Sequence, residues 1–217
     1  MPKHPIQKLI EEGEHQQLDF KFAVNDSRKI ARSLSAFANT EGGRLLIGVK
    51  DNGKIAGIRS NEEFYMLQAA SELYTKPEVA FEITTHLIDK KEILEVIIAK
   101  SKNRPHTAPD EKGNYKAYIR VKDENLLANG LLLKIWKAEK DRSNIKIVYG
   151  KAEKFLLNYL NTHSYITFSK FRKSAGIRFY KAEKILIDFI LLDIIEIVFS
   201  KDLVFYRLKT KKEESDI

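Results

Sequence analysis

The chain has no cysteine. Disulfide bridges, thiolate metal ligands and cysteine nucleophiles are therefore excluded, and a reducing cytoplasm is the expected compartment. Long apolar runs are missing as well. The longest stretch, residues 185–199, is interrupted by Asp188, Asp193 and Glu196, so no membrane span is expected. Residues 1–13 carry Lys3, Lys8, Glu11 and Glu12 and lack the apolar segment of a signal peptide, so export is not expected. Histidine is sparse, five residues with no pair at i, i+4, which leaves little basis for a histidine zinc site. A Walker-type loop, Gly-x-x-x-x-Gly-Lys-Ser/Thr, occurs nowhere.

What is present is charge. Of the 217 residues 31% are charged and 43% hydrophobic, the profile of packed cores under a highly charged surface. The length suits two domains of ordinary size. A formal net charge of +8 favours a polyanionic partner, because clustered Lys and Arg gain affinity by releasing phosphate counterions. Acidic protein surfaces are the alternative.

Hydrophobic periodicity orders the first 140 residues. Ile30, Leu34 and Phe37 make one helical stripe and predict a helix over 28–38. Asn39 to Gly43 is turn chemistry, residues 45–49 read as a buried strand, and Asp51-Asn52-Gly53 turns the chain into a second strand over 54–58. Asn61, Glu62 and Glu63 open a helix that runs through Phe64, Leu67 and Ala70 to about residue 73. Strands over 79–87 and 93–99 flank a turn at 89–91, a loop carries Pro105 and Pro109, a strand follows over 115–121, and a helix over 129–139 closes the domain. The fold class is α+β, with about five strands and a mixed sheet in domain 1–140. Residues 141–150 read as a linker. Helices over 151–161, 167–175 and 179–192 then precede strands over 196–199 and 203–208, joined by a turn at 200–202; this is the winged-helix order, expected over 151–208. The tail 209–217 is charged and is expected to be disordered.

Three groups of residues carry candidate chemistry. On the strand over 115–121, Tyr118, Arg120 and Lys122 share one face opposite Ile119 and Val121. With Arg104 nearby they fit phosphate contacts and base stacking, or else an ordinary solvated face. The turn Asn39, Thr40, Gly42 and Gly43 has backbone N–H groups that could cradle a phosphate, with ATP as a minor ligand reading; the alternative is a helix C-cap with glycine at positive φ. Lys170, Arg172, Lys173, Arg178, Lys181 and Lys184 crowd the second and third helices of the C-terminal part, where a winged helix meets duplex phosphates. A winged helix used only for dimerisation is the alternative there.

The run from Ala36-Phe37-Ala38-Asn39-Thr40-Glu41-Gly42-Gly43 through Arg44-Leu45-Leu46-Ile47-Gly48-Val49 to Asp51-Asn52-Gly53 and Ile58 resembles the signature of the Schlafen AlbA_2 domain. Glu14 to Lys21, Arg104-Pro105-His106 and Ala117 to Val121 follow in matching order, so the resemblance covers about residues 10–140. The C-terminal part resembles the winged-helix unit that bacterial relatives often append. The resemblance implies a nucleic-acid-binding domain, described in bacteria as a DNA-binding or ATP-binding regulator. Vertebrate Schlafens of this type cleave structured RNA with three clustered acids, which correspond by motif position to Glu14, Asp19 and Asp51. The family usually has Glu where Asp19 stands.

Converging, those three carboxylates could hold Mg²⁺ or Mn²⁺ and activate water for phosphodiester cleavage, with Lys21 on a phosphate. Otherwise Asp51 opens a turn, Glu14 and Asp19 are solvated, and Lys21 pairs with one of them. His106 reads as a loop residue. The leading expectation is a DNA-binding transcriptional regulator with DNA or RNA as partner, as a homodimer if it reads paired half-sites. The alternatives are a metal-dependent endoribonuclease and a non-enzymatic assembly module.

Overall fold

In the computed structural model, which describes residues 3–140, 149–200 and 203–209, the chain divides into two units, Met1–Ala128 and Asn129–Ile217. Both mix helices with strands, so the α+β class holds. No helix among the described residues is long and apolar enough to cross a membrane.

The first unit is built around helix α2 (Ser27–Asn39). Asp26 caps it by accepting the Arg28 N–H at 2.9 Å, and Ile30, Leu34 and Phe37 are buried as the stripe requires. Full burial of Leu34 or Phe37 stabilises by about 2–3 kcal/mol each. The small residues Ala31, Ala36 and Ala38 are buried too, which lets other elements approach α2 closely from several sides.

One such element is a four-stranded sheet in the order β1-β2-β4-β3, formed by β1 (Leu18–Lys21), β2 (Gly43–Ile47), β3 (Glu82–Ile88) and β4 (Lys91–Ile98). β1 and β2 are parallel, with α2 as their connection; the other pairings are antiparallel. Alternation splits the sheet between two cores. Leu45, Ile47, Leu94 and Val96 face α2 and α3 (Glu62–Glu72), while Phe20, Leu46 and Ile93 face α1 (Pro5–Glu12). A second sheet, β5 (Thr107–Pro109), β6 (Tyr115–Val121) and β7 (Glu124–Leu127), packs on α2.

Residues 54–58 do not form the expected strand. Only Ile55 bridges Val49. Gly48 and Gly57 both have positive φ, and a Cβ on Gly48 would sit 2.9 Å from the Gly57 carbonyl carbon, so this close backbone crossing turns the chain away from a ladder.

The second unit begins with α4 (Gly130–Glu139). The sequence pattern placed this helix at the close of the first domain, but its contacts are with α7, and it buries Leu131, Leu132, Ile135 and Trp136. Then come α5 (Lys151–Thr162), α6 (Phe168–Ser174), α7 (Phe179–Leu191) and the hairpin β8 (Ile195–Phe199) and β9 (Val204–Leu208). Ile166 and Tyr206 exchange two backbone hydrogen bonds of 2.8 Å, so the α5–α6 connection adds a rung beside β9. Phe171, Leu186 and Phe189 fill the centre. The proposed linker, apart from Tyr149 and Gly150, lies outside the described residues, as do Lys201, Asp202 and residues 210–217 of the tail.

Candidate functional site

The three candidate acids do not gather. Asp19, on β1, is 2% exposed, because alternation turns it away from the face of Leu18 and Phe20 and toward Arg120 of β6. Arg120 Nη2 lies 3.2 Å from its Oδ1. Lys21 Nζ lies 2.7 Å from Oδ2, in contact but off the hydrogen-bonding direction. Glu14 reaches the same place: its carboxylate accepts the Phe20 N–H at 2.8 Å and hydrogen-bonds Asp19. Burial, and then that hydrogen bond, push the Glu14 carboxyl up to about 7, so Glu14 takes up a proton near neutral pH.

Asp51 is exposed in the turn where the Gly53 N–H donates to the Lys50 carbonyl at 2.7 Å. Among the described residues no group of three His, Cys, Asp or Glu is placed to hold a metal ion. The donor set does not fit Mg²⁺ or Mn²⁺, because the buried acid is already engaged by a guanidinium and an ammonium.

Arg120 and Tyr118, expected on a solvated basic face of β6, are buried at 2% and 7% exposure. The reason is α2, which covers the face that alternation alone leaves open. Arg120 donates to the Leu18 carbonyl at 3.3 Å and Asn125 Oδ1 at 3.2 Å, and its guanidinium lies 5.2 Å from the Phe37 ring centre. It is a buried counter-charge and is not available to a phosphate. Lys122 is exposed, and its backbone N–H donates to Gln16. Arg104 is half-buried in the loop before β5.

The Asn39–Gly43 turn is likewise committed to the fold. Asn39 Nδ2 donates to the carbonyls of His106 and Tyr118, each at 2.8 Å, and Oδ1 accepts the His106 N–H at 2.8 Å. Thr40 Oγ1 donates to the Ala36 carbonyl and accepts the Arg120 N–H. The N–H groups of Thr40 and Gly42 both go to the Phe37 carbonyl, closing α2 as a C-cap. Gly42 has φ +72°, and a Cβ there would meet the Ile98 carbonyl oxygen at 2.6 Å. The turn is a structural clamp with those donors spent, so it does not provide the expected phosphate cradle. His106 is buried within it, with Nε2 2.7 Å from Ser101 Oγ.

The α6–α7 surface differs. Thr167 caps α6 through the Lys170 N–H. Gly176 at φ +62° then turns the chain within a few residues into α7, with Arg178 at its N-cap. This puts Lys170, Arg172 and Lys173 of α6 close in sequence to Arg178 and Lys181 of α7. All are exposed except the half-buried Arg172, and none of the five has a carboxylate within salt-bridge distance among the described residues, whereas Lys184 pairs with Asp188 at 2.9 Å. Phe179 and Tyr180, 46% and 78% exposed, stand between Arg178 and Lys181. Sequence inspection missed these two aromatics, although an aromatic pair bracketed by cations at a helix start was a visible signal.

A family model, Schlafen, AlbA_2, matches residues 14–129. That is more than half of the chain, and the protein belongs to the Schlafen AlbA_2 family. Comparison with curated proteins finds none that matches. Among solved structures, the DIP2311 protein of Corynebacterium diphtheriae is similar at 20% identity and a TM-score of 0.45, over 59% of this chain and 28% of that one. The N-terminal domain of a Nitrosomonas europaea protein described as related to the ATP-dependent DNA helicase RecG is similar at 16% identity and a TM-score of 0.41, over 59% of this chain and 97% of that domain.

Proposed function

We propose that this protein is a regulatory DNA-binding protein whose second unit docks on duplex DNA as a winged helix, with α7 in the major groove. The observation that carries the proposal is the contrast between cations. Arg120 and Lys21 in the first unit are paired with Asp19, whereas Lys170, Arg172, Lys173, Arg178 and Lys181 stand together with no acidic partner among the described residues. A charge cluster without internal counter-ions is one whose natural counter-ions are phosphates. The element order α5, α6, α7, β8, β9 supports the docking mode, which puts the helix N-terminus and its preceding turn against backbone and base edges. Tyr180, exposed in the first turn of α7, is then positioned to stack on or pack against a base edge.

The test is fluorescence anisotropy of labelled duplex DNA at several salt concentrations, with the Lys170→Gln, Arg172→Gln, Lys173→Gln triple variant beside the parent protein. Loss of three phosphate contacts flattens the log–log salt slope by roughly 2.7. An unchanged slope overturns the proposal for α6.

A further inference from the structure

We propose that the second unit also contains a binding site, between α4, α6, α7 and β9, for a small aromatic carboxylate. A cavity of about 420 Å³ opens there, a volume typical of small-ligand pockets. Leu131, Phe168, Phe179 and Val204 supply its apolar wall. The Phe168 and Phe179 rings are 4.9 Å apart and inclined at 52°, which gives a flat ligand two aromatic surfaces to pack on.

The polar lining is rich in donors. Tyr206 is only 2% exposed, yet its hydroxyl, on a side chain that lines the cavity, has no hydrogen-bond partner among the described residues. The hydroxyl is not one of the fully buried unpaired atoms, so it keeps access to the cavity and can donate into it. Burial, and then the nearby Glu183, push the phenol up to about 12; it stays protonated and donates. Lys134 Nζ donates to Glu183 Oε2 at 2.7 Å, leaving two further N–H groups on a half-exposed ammonium. At the start of α4 the Asn129 side chain accepts the Leu132 N–H at 2.8 Å, so the Gly130 and Leu131 N–H groups remain as first-turn donors beside the cavity. The one acidic group on the wall, Glu183, is already neutralised by Lys134. A head group that only accepts hydrogen bonds, on a flat apolar body, is the complement.

Phe179 forms part of this wall and immediately precedes Tyr180 on α7. Occupancy of the site therefore adjoins the proposed DNA face, and any change in DNA affinity on ligand binding rests on the DNA-binding reading; binding itself does not.

The experiment is an amide chemical-shift titration of the full chain with benzoate at millimolar concentration, with benzylamine as the opposite-charge control. The expected result is saturable shifts at Lys134, Phe168, Phe179 and Tyr206 with benzoate, and none with benzylamine. Tyr206→Phe weakens benzoate roughly tenfold, the loss of one charge-assisted hydrogen bond, and Val204→Phe fills the cavity and abolishes binding, with circular dichroism confirming that each variant is folded. If Val204→Phe does not fold, Tyr206→Phe decides alone. Absence of shifts, a preference for benzylamine, or an unchanged affinity in Tyr206→Phe overturns the site. Saturable benzoate shifts in a chain that binds no duplex DNA retain the site and count against the DNA-binding reading only.

Discussion

Replacing Arg120 with Met removes the guanidinium that holds the buried Asp19 carboxylate, and the size of the effect separates a structural ion pair from a surface one. Asp19 is 2% exposed and keeps Lys21 as its remaining cation. The Leu18 carbonyl and Asn125 Oδ1 lose a donor each. Breaking a buried pair from one side costs about 3–5 kcal/mol, and the surviving Lys21 contact argues for the lower end, about 3 kcal/mol, a large part of the 5–15 kcal/mol that holds a typical domain. Urea unfolding followed by far-UV circular dichroism reads the loss, and amide exchange at β1 and β6 localises it to the first unit. A double-mutant cycle with Asp19→Asn should return a coupling of about 2 kcal/mol or more. A loss below about 1 kcal/mol, the value of an exposed pair, would refute the burial argument and return Arg120 to the set of available cations.

Three further outcomes follow from the first unit. The Glu14 carboxyl is raised from its ordinary 4.5 to about 7 by burial and its hydrogen bond to Asp19, so the folded form holds a proton that the unfolded chain releases. The stability this contributes is full below pH 4.5 and is lost as pH rises through 7. Discounted for solvent screening it amounts to about 1 kcal/mol, and Glu14→Gln should flatten that part of a stability–pH profile. Gly42→Ala forces an L side chain to positive φ against the Ile98 carbonyl; a loss of at least about 2 kcal/mol in thermal or urea unfolding is expected. Asn39→Ala removes the partner of the His106 N–H and of the Tyr118 carbonyl, while the His106 carbonyl keeps the Ser35 hydroxyl, and should cost about 2 kcal/mol by the same assay.

Legibility of the fold followed the strength of local patterns. Helix α2 was plain because its stripe, cap and terminal glycines agree. α1 was missed although His4 and Gln7 form a capping box around Pro5 in the first helical turn, since its eight residues give only two turns of periodicity. β1 was missed because four residues give too little alternation to distinguish a strand. The alternation of β6 was read correctly, yet it cannot reveal that α2 lies over the second face, and so Arg120 looked solvated. The acids failed for a related reason. Motif position brought Glu14 and Asp19 together but said nothing of Arg120, supplied from a distant strand, and it overstated Asp51, which a tight turn keeps at the surface. The basic cluster of α6 and α7 was legible throughout because exposed charge needs no tertiary partner to be recognised.

DNA binding through α6 and α7 is tested most directly by the salt dependence of duplex affinity in two charge-matched variants, Arg178→Gln with Lys181→Gln in the second unit and Lys54→Gln with Lys122→Gln in the first. A DNA face on α7 requires the slope to fall by roughly 1.8 in the former and to stay unchanged in the latter. A slope that falls only in the first-unit variant would contradict it and move the interface to the AlbA_2 domain.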